Sequence, residues 1–312
     1  PESLLNRYRR FSLYNSPFPA HDRGRAIDVY PPSNVARSPV AGEVLQVETV
    51  GCPDRPYAVD HDHVIVVRVG EVPADARGLT ARILHVDPAV EPGDRVAVGD
   101  RLGTTVRSGF FGPWVDNHIH LGFRPPDRDP LRASGSLPVV ADVSVEPLEW
   151  DGTGTVAETG PSYALLDAPV HPDPGETFVA IGDDDARPLD GGLTHYEGGG
   201  TPGRPPGGGR RVHDRGRRAS RRESDGTRPD GSTATVDLLG TRVGTVTGRH
   251  VRWSDVAVTA NGERITGLSL FLARDAAFGA KLIVRDDRFD VGDPVSVDVG
   301  PTEDPIRLGP GR

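Results

Sequence analysis

His118 and His120 stand two apart in Asn117-His118-Ile119-His120-Leu121-Gly122-Phe123. Read as a strand, this stretch alternates faces, so both imidazoles point one way and Ile119 and Leu121 the other. Two imidazoles on one face can begin a metal site. Neutral imidazole is the commonest metal ligand, and either ring nitrogen can bind or act as a base. The same pair can also be the polar face of a half-exposed strand, and the spacing alone leaves both readings open. Cys52 is the lone cysteine, which excludes a disulfide framework and a Cys-based zinc site.

The elements that must position such a pair are strands. Residues 26–30 alternate and set Asp28 opposite its apolar neighbours. Residues 38–47 read as a turn and a strand, and 63–69 as a buried, β-branched strand. Residues 81–86 form another strand, ending in His85-Val86. Residues 90–103 read as a hairpin-like unit with two Gly-Asp turns around alternating Val. No 3.6-residue period appears in this half, so the expectation is a β domain over 1–128, led in by a sticky apolar segment over 1–20.

The order of these features resembles the lysostaphin-type (LytM-like) zinc metallopeptidases over about residues 20–125. That order is Asp28 in a first strand, Pro39-Val40-Ala41-Gly42-Glu43-Val44, a buried strand, a strand ending in His85, the Gly-Asp unit, and His118-x-His120. The resemblance implies an antiparallel β fold of the duplicated hybrid motif, barrel-sandwich-like type. It implies a Zn2+-dependent hydrolase acting on peptides of the cell-wall kind. His120 and Asp28 would be metal ligands, with His118 and His85 in catalysis. A His/Asp/His set leaves one position open for water.

The family's first ligand is a His four residues before the Asp, and Gly24 stands there. His21 is the nearest replacement, reached by looping out residues 21–26. Asp22 is a second candidate, and an incomplete set in a non-catalytic, LytM-like binding or scaffold domain is a third reading. A biotinyl or lipoyl carrier shares the turn motifs, but it needs a lysine at a hairpin tip. The single lysine, Lys281, lies far outside the unit. The second His-x-His, His61 and His63 flanked by acids, reads as a solvated turn, with lining of the site as the alternative, and His171, His195, His213 and His250 read as background.

Residues 129–151 read as a linker after the Pro-Asp breaker cluster at 125–130, with a short strand at 139–145. Residues 152–312 read as a second, small β domain, with strands at 153–157, 163–166, 177–181, 235–239, 243–249, 255–259, 265–272, 280–284 and 294–299. A short helical turn is expected at 273–280, and Trp253 reads as an exposed-edge residue. Residues 198–232 interrupt this domain. They are Gly/Pro-rich and then Arg-rich, with nine Arg against three acids over 204–228, and are expected to be disordered. A flexible loop and a shifted reading frame in a GC-rich gene both produce such a run. A nucleic-acid arm ranks third, for the run has no aromatic residue to stack on bases.

The formal net charge is −9, with one Lys against 35 Arg and 32 Asp against 13 Glu. An Asp-rich, Lys-poor surface stays soluble where salt screens charge, so the composition reads as halophilic. No apolar run reaches membrane-spanning length and residues 1–7 carry no apolar signal region. The expectation is a soluble, cytoplasmic protein with a peptide substrate and no membrane partner.

Overall fold

The computed structural model describes residues 4–132, 134–202 and 233–309, with Asp22 described in its backbone only. The fold is mainly β. Among the described residues the strands form a ten-stranded, a twelve-stranded and a three-stranded sheet. No helix among them is long and apolar enough to cross a membrane.

The ten-stranded sheet positions the histidines. Its centre runs Arg10–Ser12, Ile27–Tyr30, Ile119–Arg124, Thr80–Leu84, His61–Val72 and Ala41–Gly51, each antiparallel to the next. One face of this sheet packs Ile27, Val29, Ile65, Val67, Ala81, Ile83, Ile119 and Leu121 into a dry core. Those residues alternate with Asp28, Arg82, Leu84 and His120, which the pleat turns to the other face. Burying the odd-numbered apolar row therefore fixes the register that aims the polar row.

Several features differ from the sequence expectation. The unit at 90–103 keeps both Gly-Asp turns, with Asp94 and Asp100 accepting from the backbone N–H of Glu91 and Ala97. It is not a hairpin, because Arg95–Val96 pairs with Ala41–Gly51 while Arg101–Thr105 pairs with Val35–Arg37 and Val86–Pro88. Within the stretch read as a linker, Val145–Leu148 is an edge strand. It pairs in parallel with Phe178–Ile181, and Leu272–Ala273 joins that strand to Arg10–Ser12. The second half thus extends the first half's sheet and contributes Phe178, Ala180 and Leu272 to its core. Residues 273–280 hold no helix.

The twelve-stranded sheet is built from the second half, from Thr153–Gly160 to Pro294–Pro301. Gly198–Gly200, at the start of the run expected to be disordered, is one of its strands, between Asp190–Leu193 and His250–Trp253. The glycines serve close packing there. A Cβ on Gly199 would come within 2.3 Å of Trp253, and one on Gly200 within 2.1 Å of Tyr14. Trp253 is accordingly in the core rather than on an exposed edge. The expectations for 203–232, including His213, lie outside the described residues.

Candidate metal centre

In the sheet His120 lies directly across from Asp28 on one side and from Leu84 on the other. Directly opposed side chains sit close together, and His120 Nδ1 reaches Asp28 Oδ1 at 3.0 Å. His21 arrives from a 3₁₀ turn, Pro19–Gly24. Its Nε2 stands 3.1 Å from His120 Nδ1 and 3.2 Å from Asp28 Oδ1.

The turn explains Gly24. Arg23 and Gly24 both adopt left-handed backbone, with φ of 55° and 62°, and this reverses the chain between His21 and the Ile27–Tyr30 strand. A Cβ on Gly24 would meet Tyr14 Oη at 2.9 Å. Position 24 thus disfavours a side chain, and the imidazole beside Asp28 comes from three residues earlier.

The donor set fits a metal. His21 Nδ1 donates to Leu13 O at 3.0 Å, which fixes the tautomer and leaves a lone pair on Nε2. His21 Nε2, Asp28 Oδ1 and His120 Nδ1 then form a triangle of ligand atoms, and the three residues make up a potential metal-holding group. Lone pairs turned on one another need a cation or a proton among them. Tetrahedral zinc with ligands at ~2.0–2.1 Å has ligand–ligand edges of about 3.3–3.4 Å, close to the edges of this triangle.

Charge in the site follows from burial. His21, Asp28, His85, His118 and His120 are all between 1% and 6% exposed. Burial alone would push Asp28 up, but His21 and His118 beside it and the hydrogen bonds from His120 and His21 hold it well below the usual carboxylate range. Burial disfavours charge on His21, yet Asp28 and the Leu13 carbonyl outweigh this and raise its pKa. Burial takes His120 down to about 3 and His118 down to about 4, against the pull of Asp28. Both are therefore neutral imidazoles at pH 7.

His118 Nδ1 donates to Asp116 O at 2.8 Å, and its Nε2 stands 3.5 Å from Asp28 Oδ2. His85 sits in left-handed backbone, φ 66°, between Thr80–Leu84 and Val86–Pro88. Its ring centre lies 4.9 Å from that of His118 and 5.7 Å from that of His120. The sheet thus gathers all five residues of the expected site. His61 and His63 stay apart from it, with His63 bonded to Thr49 and near Asp87. His171 and His195 are buried elsewhere, and His250 bonds Tyr14.

Three contributors escaped the sequence reading. Asp62, taken for part of a solvated turn, is fully buried. Its Oδ2 accepts from His85 Nδ1 at 2.5 Å and its Oδ1 from the N–H of His63 and His85. Burial pushes this carboxyl up, but His85 and the donors from Ser108 and His63 take it well below its ordinary range. Running the strand alternation back from Val66 and Val64 to position 62 would have signalled it. Arg82 and Tyr196 also line the pocket over the histidines. Arg82 was legible as the polar residue between Ala81 and Ile83, whereas Tyr196 comes from the second half and has no sequence signal.

That pocket measures about 110 Å³ and is lined in part by Pro17, Phe18, Phe110 and Phe111. Cavities of about 790 and 740 Å³ adjoin it and share Pro17, Phe18 and Tyr196 with it.

No curated protein and no solved structure matches the chain. Residues 1–141 match the family model described as Domain of unknown function (DUF8155) N-terminal domain. Residues 146–300 match the one described as Domain of unknown function (DUF8155) C-terminal domain. With both domains present in order over most of its length, the chain belongs to the DUF8155 family.

Proposed function

We propose that the protein is a zinc-dependent hydrolase of peptide bonds, built on a LytM-like hybrid motif in its first half. The observation that carries this reading is the triangle of His21 Nε2, Asp28 Oδ1 and His120 Nδ1, with two further imidazoles beside it. Zinc held there would supply a Lewis acid and lower the pKa of a water molecule toward ~7.

The chain's own groups do the rest. His118 and His85 each commit Nδ1 to an acceptor, Asp116 O and Asp62 respectively. Each therefore carries its lone pair on Nε2, that of His118 beside Asp28, and can take a proton from the attacking water and return it to the leaving amine. Asp62 holds the His85 ring in place and offsets the charge that ring gains when protonated. Phe18, Phe110 and Phe111 line the pocket, and such apolar walls lower the local dielectric, which strengthens these interactions.

Burial of the five groups and the small pocket favour a second reading, a LytM-like domain that binds metal for structure and hydrolyses nothing. Zinc content by mass spectrometry and cleavage of a peptide library separate the two. The hydrolase reading expects one zinc per chain, lost in Asp28→Asn and His120→Ala. It expects His118→Ala and His85→Ala to keep zinc while cleavage falls by ~10²–10⁴. A zinc-free protein sinks both readings. Zinc retained with no cleavage of any peptide leaves only the second.

A further inference from the structure

Among the described residues, Arg82 is a cation with no carboxylate partner. It lies on the Thr80–Leu84 strand across from Gly122, two residues from Leu84, which faces His120. It is 8% exposed and lines the pocket that holds His21, Asp28, His118 and His120. Its Nε is buried with no hydrogen-bond partner. Among the described residues no carboxylate pairs with its guanidinium, and Asp62 acts on it only through space. Arg124 adds a second guanidinium nearby, but that one is spent on the carbonyls of Asp129 and Arg132. Burial and Arg124 both work against the charge on Arg82 and take its pKa down to about 10, so it remains a cation at pH 7.

A buried charge left unpaired is costly, and each such group calls for an explanation. Guanidinium is the side chain best suited to grip a carboxylate with two parallel hydrogen bonds. We propose that Arg82 is the carboxylate receptor of this pocket. The substrate would bring an anionic carboxylate onto Arg82 while the bond to be cut lies over the His21–Asp28–His120 triangle. The placement of the bond rests on the hydrolase reading; the carboxylate site does not. Two residues along a strand span ~6.6–6.8 Å, about two extended peptide units. The carboxylate therefore belongs within about two residues of the bond. It is either the C-terminal carboxylate of a peptide or an acidic side chain.

The test is calorimetric binding to the full-length protein, zinc-loaded and EDTA-treated. The first probe pair is acetyl-Ala-Ala-Ala with a free carboxylate against its C-terminal amide. The second is acetyl-Ala-Asp-Ala-amide against its Asn twin. The expected result is at least tenfold tighter binding of the carboxylate member in one pair, which names the source. Arg82→Met should abolish that preference and Arg82→Lys should keep only part of it. In the absence of peptide Arg82→Met should melt no lower than the parent, because it removes an unpaired buried charge. Equal affinities within both pairs overturn the proposal, as does a preference that survives in Arg82→Met. Should Arg82→Met fail to fold, an undiminished preference in Arg82→Lys overturns it. A protein that takes up no zinc yet keeps the preference after EDTA treatment defeats the hydrolase reading and leaves Arg82 as the receptor.

Discussion

At the scale of the residue, His85 depends on Asp62. One buried carboxylate accepts a ring N–H and the backbone N–H groups of His63 and His85. Asp62→Ala would leave these three donors, and the Ser108 hydroxyl beside them, without this partner, and each unsatisfied buried group costs about 1–3 kcal/mol. The expected outcome is a loss of about 3 kcal/mol or more in urea unfolding. Zinc content should be unchanged, because the triangle of His21, Asp28 and His120 does not include Asp62. A variant that lost zinc in proportion to stability would show that Asp62 supports the whole face rather than His85. His118 is held differently, by a backbone carbonyl, so side-chain replacement at Asp116 should leave its hydrogen bond in place.

At the scale of the element, the 3₁₀ turn and the segment before it decide whether the ligand set closes. Gly24→Ala would place a Cβ in left-handed backbone at a cost of ~1–2 kcal/mol and against Tyr14 Oη. Zinc affinity should fall along with stability, since the turn carries His21. The Leu13 carbonyl that orients His21 is itself held by the second half. Asp190 accepts from Ser12 Oγ and from the N–H groups of Leu13 and Tyr14. Burial pushes Asp190 up to about 7, against the pull of these three donors. A carboxyl with a raised pKa binds its proton more tightly in the folded state than in the unfolded chain. Its stabilising contribution is therefore complete below about pH 4 and is lost as pH rises toward 7. Relative to Asp190→Asn, the parent should lose up to about 1.4 kcal/mol per pH unit between pH 5 and pH 7. Denaturant midpoints of the two proteins at both pH values read this directly.

At the scale of the molecule, the two matched domains do not divide the structure into two independent sheets. Arg10–Ser12 is flanked by Leu272–Ala273, and Phe178, Ala180 and Leu272 fill the core beneath the first half's strands. Lys281 reaches across in the same way, 3.7 Å from Asp116 and over the Tyr163 ring. A fragment of residues 1–141 would expose that core and free the chain around Leu13. It should lack a cooperative unfolding transition by circular dichroism, while the full chain shows one. The net charge of −9 with its excess of Asp predicts a second behaviour of the whole surface. Salt screens the repulsion, so the melting temperature of the full chain should rise with added KCl.

The sequence by itself determined the strands, because alternation is local: Ile27, Val29, Ile119 and Leu121 declare one face, and Asp28 and His120 the other. It also determined that His118 and His120 share a direction, since two residues on one strand cannot do otherwise. The composition of 198–200 misled, because glycine marks close packing on Trp253 and Tyr14 as readily as a loose chain. Only the tertiary structure decided that His21 stands beside Asp28 and His120, because that depends on the left-handed turn at Arg23 and Gly24. Only it paired Asp62 with His85, 23 positions away, and, among the described residues, left Arg82 without a carboxylate partner in the pocket that His85 also lines. Those relations run across strands, and chain spacing carries no record of them.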